Sequence, residues 1–168
     1  MKQLRLYLHT SAQPRRQRGV AAIEFALIAM FMVVMLLGVT AYWRAFQAQQ
    51  SLTRAAGDGA RAILGVLAAG VSDPCHPTQA AANRASIQLR VAQSVRSSLE
   101  RSDIPGTVAD QLTVGAIQWQ AACPSTGTGS ATFELRYQLA PLFGTQSAWV
   151  TEPRQLYEKS VVHFASLL

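Results

Sequence analysis

The chain has 168 residues, a formal net charge of +6 and 49% hydrophobic residues. Lys2, Arg5, Arg15, Arg16 and Arg18 precede Gly19 with no acid among them, and without those five the remainder carries ten bases against nine acids. The basicity therefore belongs to the leader, which argues against a nucleic-acid surface built from clustered bases on a folded domain; Arg44, Arg54, Arg61, Arg84, Arg90, Arg96 and Arg101 read as solvated spacers on helix faces.

Beyond Glu24 the sequence from Phe25 to Trp43 is free of charge for 19 residues. As a helix at ~1.5 Å per residue that run covers roughly the ~30 Å thickness of a bilayer core. Lys and Arg remain on the cytoplasmic side of such a span. The expected layout is a cytoplasmic leader at 1–19, a transmembrane helix at 20–43, an amphipathic continuation at 44–68 and a small extracytoplasmic domain at 69–168. An ordinary secretory signal has a shorter apolar core followed by a small-x-small cut, whereas this run ends in Tyr42-Trp43-Arg44. Arg15-Arg16 invites a twin-arginine reading, but Gly19-Val20-Ala21-Ala22 and the acid after it fit that poorly. A plain signal anchor whose outer domain binds an envelope partner accounts for the bases and the apolar run, and does not account for Glu24.

An acid inside an apolar span is costly unless neutralised or paired, and it is a functional residue by default. Cleavage between Gly19 and Val20 would free an α-amino group at Val20. That cation would lie beside the Glu24 carboxylate of its own chain or of a neighbour, and would offset the cost of removing the charge from water.

Arg15-Arg16-Gln17-Arg18-Gly19 followed by Val20-Ala21-Ala22-Ile23-Glu24-Phe25 resembles a type IV prepilin leader. With Arg44-Ala45-Phe46, Gln49-Gln50-Ser51-Leu52 and Ala55-Ala56-Gly57-Asp58-Gly59-Ala60-Arg61, the first third of the chain resembles the TadE-like pseudopilins of tight-adherence (Flp) pili. The resemblance implies a minor pilin subunit of the inner membrane, single-pass, with its C-terminal domain periplasmic. It implies a membrane peptidase that cuts after Gly19, Val20 as the new N-terminus, and Glu24 with Phe25 acting in processing or assembly. Arg15, Arg16 and Arg18 would hold the leader in the cytoplasm. The implied partners are that prepilin peptidase, other pilin-like subunits, inner-membrane pilus assembly proteins and membrane lipid. Two departures stand out: Ala29-Met30-Phe31 carries no proline and Thr40-Ala41-Tyr42 carries no acid where family members often do. The choice between a TadE-type, a TadF-type or another minor subunit stays open.

Past the span, Ala41, Ala45, Ala48, Leu52, Ala55 and Gly59 recur at helical spacing as one seam. The seam serves either a neighbouring pilin-like helix or the protein's own domain core. Asp73-Pro74 and Pro77 mark a loop, after which Thr78 is expected to cap a second helix reaching about Arg101, with Ile87, Val91, Val95 and Leu99 as its apolar stripe. The period then becomes alternating. One strand is expected from about Gln111 with Ile117, Trp119, Ala121 and Cys123 on one face, a polar loop at 124–130, a clear strand around Phe133, Leu135, Tyr137 and Leu139, and a third at 155–166, where apolar residues on both faces leave a helix open as the alternative. The fold class is α+β: a long N-terminal helix, a second helix and an antiparallel sheet of about three strands.

Cys75 and Cys123 both fall in the exported part, and an even count in an oxidising compartment predicts a disulfide, which would stabilise by ~4 kcal/mol in the chain-entropy model. His76 beside Cys75 is too little for a metal site. His9, His76 and His163 have no nucleophile motif around them, and no phosphate-cradling glycine loop is present. Neither an enzymatic activity, a cofactor nor a metal is expected.

Overall fold

The computed structural model describes residues 17–70, 72–76, 78–120, 128–142 and 152–165. In chain order the elements are α1 (Gln17–Ala68), α2 (Ala80–Arg101), α3 (Val108–Gln111), β1 (Leu112–Val114), β2 (Gln118–Gln120), β3 (Thr128–Gln138) and β4 (Gln155–Ala165). They fall into two compact units, one ending at Val39 and one from Thr40 to Leu168. The first is the N-terminal half of α1, and its apolar side chains are exposed, Val20, Phe25, Phe31 and Leu36 among them.

The second unit is built around the other half of α1. Ala41, Ala45, Ala48, Leu52, Ala55, Ala56 and Ile63 are buried in it, as is Gly59. The seam is thus the edge of a hydrophobic core, and the domain begins at Thr40 because the helix supplies one of its walls. Small side chains permit this. A Cβ on Gly59 would come within 2.9 Å of Val95 Cγ2 and 3.0 Å of Phe133 Cζ, so glycine is what lets α1 sit this close to α2 and to the sheet.

In α2, Ile87, Val91, Val95 and Leu99 are wholly buried at four-residue steps, as the pattern demands of a helix with one face on a core. Thr78 is not its cap. The Ncap position is Gln79, whose side chain makes no capping bond. The imidazole of His76 does this work: Nδ1 accepts the N–H of Thr78 at 3.3 Å and of Gln79 at 3.2 Å. The turn before the helix carries that ring over N–H groups that have no intrahelical acceptor. Asn83 Nδ2 to Asp73 O and Arg84 Nε to Pro74 O pin the same turn from the helix side.

The sheet is antiparallel and four-stranded, with β3 at its centre. One edge is β4, in register from Thr128↔Ala165 to Gln138↔Gln155. The other edge is β1 followed by β2. Where one strand was expected from about Gln111, a single turn of helix, α3, comes first, and the strand after it is broken. Val114 faces Leu135 and Gln118 faces Thr132, so three residues oppose two across the break, which is a β-bulge. A bulge leaves ladder groups unpaired. Gln88 of α2 satisfies two of them, donating Nε2 to Gly115 O at 3.1 Å and accepting the Ile117 N–H on Oε1 at 2.8 Å. The polar loop expected at 124–130 is shorter at its C-terminal end, because Thr128–Ser130 already belong to β3.

Ala131, Phe133, Leu135 and Tyr137 of β3 are fully buried on the helix-facing side. The Tyr137 hydroxyl donates to Pro105 O at 3.0 Å. Burial pushes its pKa above the ordinary 10.0, with Arg44 opposing. The folded state therefore favours the neutral phenol. That preference is fully present below the unfolded value and is lost as pH rises through the folded one. Tyr137→Phe should cost about 1 kcal/mol at neutral pH for the lost bond. It should also flatten the alkaline loss of stability in urea unfolding measured between neutral pH and pH values above 10. Parallel pH profiles for the two proteins would refute the role given to the buried phenol.

Candidate processing and assembly site

Arg15 and Arg16 lie outside the described residues, and Arg18 stands within α1. Gly19 is the third residue of that helix. A Cβ built on Gly19 meets nothing within 4 Å, so the fold itself does not demand glycine here. Val20 is 67% and Phe25 74% exposed, and Glu24 is exposed too.

Val20 and Glu24 are four apart in a continuous helix, which places them one above the other on one face. Among the described residues Glu24 has no hydrogen-bond or ion-pair partner. The stretch thus presents a lone carboxylate one turn from Val20, surrounded by side chains such as Ile23, Phe25, Leu27 and Ile28 that are all more than half exposed. From Gly19 the helix is long and apolar enough to cross a membrane, and its most apolar window has a mean hydropathy of 2.7 and none of it buried. Ala22 and Ala26 remain exposed and Ala29 partly so, unlike the alanines of the later seam.

Farther along α1 the polar residues tie the helix to its domain. Asp58 Oδ2 accepts the Ser98 hydroxyl of α2 at 2.6 Å, and Asp58 Oδ1 pairs with Arg61 at 3.1 Å. Glu158 of β4 accepts Gln49 Nε2 at 3.0 Å and the Thr53 hydroxyl at 3.3 Å. Arg44 Nη1 donates to Ala140 O at 2.8 Å. Apart from Asp58 and Arg61, an opposite-charge pair three residues apart on one helix, these partners were not legible in the sequence, since they lie far apart in the chain and belong to no motif.

Cys75 is disulfide-bonded. Cys123, the partner expected for it, lies outside the described residues. Among the described residues no group of three His, Cys, Asp or Glu side chains comes together as a metal would need. His163 is exposed on β4, opposite Ser130.

Residues 19–61 match the family model described as TadE-like protein. No curated protein and no solved structure matches the chain. The match lies wholly within α1, and α2 and the sheet lie beyond it. The TadE-like segment suggests a protein related to the Tad pilus, and the apolar N-terminal helix suggests membrane anchoring.

Proposed function

We propose that this chain is a TadE-like minor pseudopilin of a tight-adherence pilus system. It inserts in the inner membrane with its N-terminus cytoplasmic and its α+β domain in the periplasm. A prepilin peptidase cuts between Gly19 and Val20, and the chain is a substrate and catalyses nothing itself. The observation that carries this reading is Glu24. It is a carboxylate with no partner among the described residues, one helical turn from Val20, in a stretch whose other side chains suit lipid or another apolar helix. After the cut the new amine at Val20 supplies the opposite charge within the chain, or to Glu24 of an adjoining subunit during assembly. Arg15, Arg16 and Arg18 hold the leader on the side of the peptidase. Cys75 with Cys123 closes the exported domain as a disulfide. Other pilin-like subunits and inner-membrane assembly proteins are the partners.

Mass spectrometry of the N-terminus, in cells with and without the peptidase, tests the reading. The expected result is a chain beginning at Val20 in the first and at Met1 in the second. A chain beginning at Met1 in both would overturn it.

A further inference from the structure

Two faces of α1 overlap across the end of the charge-free run. On one side Ala41, Ala45 and Ala48 are buried in the domain. On the opposite side Tyr42, Trp43 and Phe46 are 59%, 60% and 57% exposed. The exposed apolar stripe then stops, and Gln47, Gln50, Thr53 and Arg54 take over the outward positions. The helix is therefore seated on its domain over a stretch whose outer side still carries three aromatic rings. Tyr and Trp, with an apolar body and a polar tip, suit the headgroup layer of a bilayer.

The domain brings a second apolar piece to the same level. Arg44 holds Ala140, Gln49 reaches the backbone of Tyr157, which faces Arg136, and Gly59 lies against Phe133. β3 thus runs opposite to α1, and its C-terminal end stands beside the first turns of the helix in this unit. Pro141 and Leu142 follow there, both exposed, with Leu142 at 45%. The Leu142 N–H donates to Glu152 Oε2 at 2.7 Å, which fixes the backbone that presents the side chain.

We propose that this rim, made by Tyr42, Trp43, Phe46, Pro141 and Leu142, rests in the phospholipid headgroup layer, so that the domain is seated on the membrane surface and not held clear of it on a stalk. The inference rests on the membrane reading above. The occupant is lipid because the aromatic stripe continues directly from the charge-free run along one helix, ends at Phe46, and is joined by an apolar side chain from the domain at that same level. Between Val39 and Phe46 the helix advances only ~10 Å, about the depth of one interfacial layer.

The test uses the full chain in phospholipid vesicles, with a fluorophore attached at one introduced cysteine: Leu142→Cys at the rim, Gln118→Cys on the exposed strand β2, or Val33→Cys within the span. Labelling is done without reductant, so that Cys75 stays disulfide-bonded. The quenchers are lipids carrying nitroxide at the headgroup or high on the acyl chain for the rim and strand sites, and near the methyl end of the acyl chain for Val33→Cys, which lies at the middle of the charge-free run. Quenching at Leu142→Cys several-fold above that at Gln118→Cys, independent of protein density in the bilayer, is the expected result. Equal quenching at the two sites, with Val33→Cys strongly quenched, overturns the seating and leaves the membrane span standing. A weak signal at Val33→Cys overturns the span and the seating together. Protection at Leu142→Cys that appears only at high protein density overturns lipid as the occupant in favour of a second copy of the chain.

Discussion

Phe133→Ala should lower the stability of the domain by about 3–5 kcal/mol, as expected for truncating a large buried aromatic ring. The ring is fully buried on the central strand and lies against Gly59, where α1 comes close to both α2 and the sheet. Equilibrium urea unfolding of residues 40–168, the compact unit, measures the loss. The opposite error at the same place should also be harmful. Gly59→Leu adds four carbons where even a Cβ would stand 2.9 Å from Val95 Cγ2, and should cost at least about 1–3 kcal/mol as overpacking. The smaller pair Gly59→Ala and Phe133→Leu is the more searching test. Alanine gains about 1 kcal/mol of helix propensity over glycine but crowds the ring. Reducing the ring should relieve that crowding, so the double variant should be more stable than the two single effects predict. Strict additivity would mean that the contact does not couple the helix to the sheet.

The second large effect is on processing. Gly19→Val should abolish the form that begins at Val20 and leave the chain beginning at Met1. A side chain at Gly19 meets nothing within 4 Å, and valine there removes a residue that disfavours helix, so neither the helix nor the domain should suffer. Loss of the cut would therefore report on the peptidase's access to the bond and not on unfolding. Unimpaired cleavage of Gly19→Val would refute the assignment of the site. Glu24→Gln separates the next step. The side chain is exposed and has no partner among the described residues, so folding should be unchanged. On the proposed reading, crosslinking to neighbouring pilin-like subunits should fall several-fold, because the charge offered to their N-terminal amine is gone. Undiminished crosslinking would remove Glu24 from assembly.

The features written in the sequence as periodicity were legible there. The stripe from Ile87 to Leu99, the alternation from Phe133 to Leu139 and the seam from Ala41 to Gly59 are repeated hydrophobic choices, and each marks a buried face in the fold. What the seam packs against was not legible, because small residues at helical spacing serve a neighbouring helix and a domain core equally well. The ambiguity ends with the ring of Phe133 lying on Gly59. The bulge after Val114 was hidden for a different reason. The alternation of Ile117 and Trp119 reads as an ordinary strand from near Gln111, and a shift of one residue between two short segments shows only when both are laid against β3. The capping role of His76 was masked by Thr78, the residue type that a helix start favours on local grounds. The processing role proposed for Gly19 and Glu24 rests on their spacing in the sequence, and no tertiary contact in the fold bears on it.

The half of α1 that forms a wall of the core has a mechanical consequence. β3 lies alongside it in the opposite direction, and the contacts from Arg44 with Ala140 to Gly59 with Phe133 are spread along the helix axis. Tension applied along that axis, as when a subunit is drawn lengthwise out of a lipid sheet, would load these contacts in shear and all together. None would be peeled away ahead of the others. The helix is therefore suited to act as a handle, able to transmit a pull to the whole domain without first unravelling it.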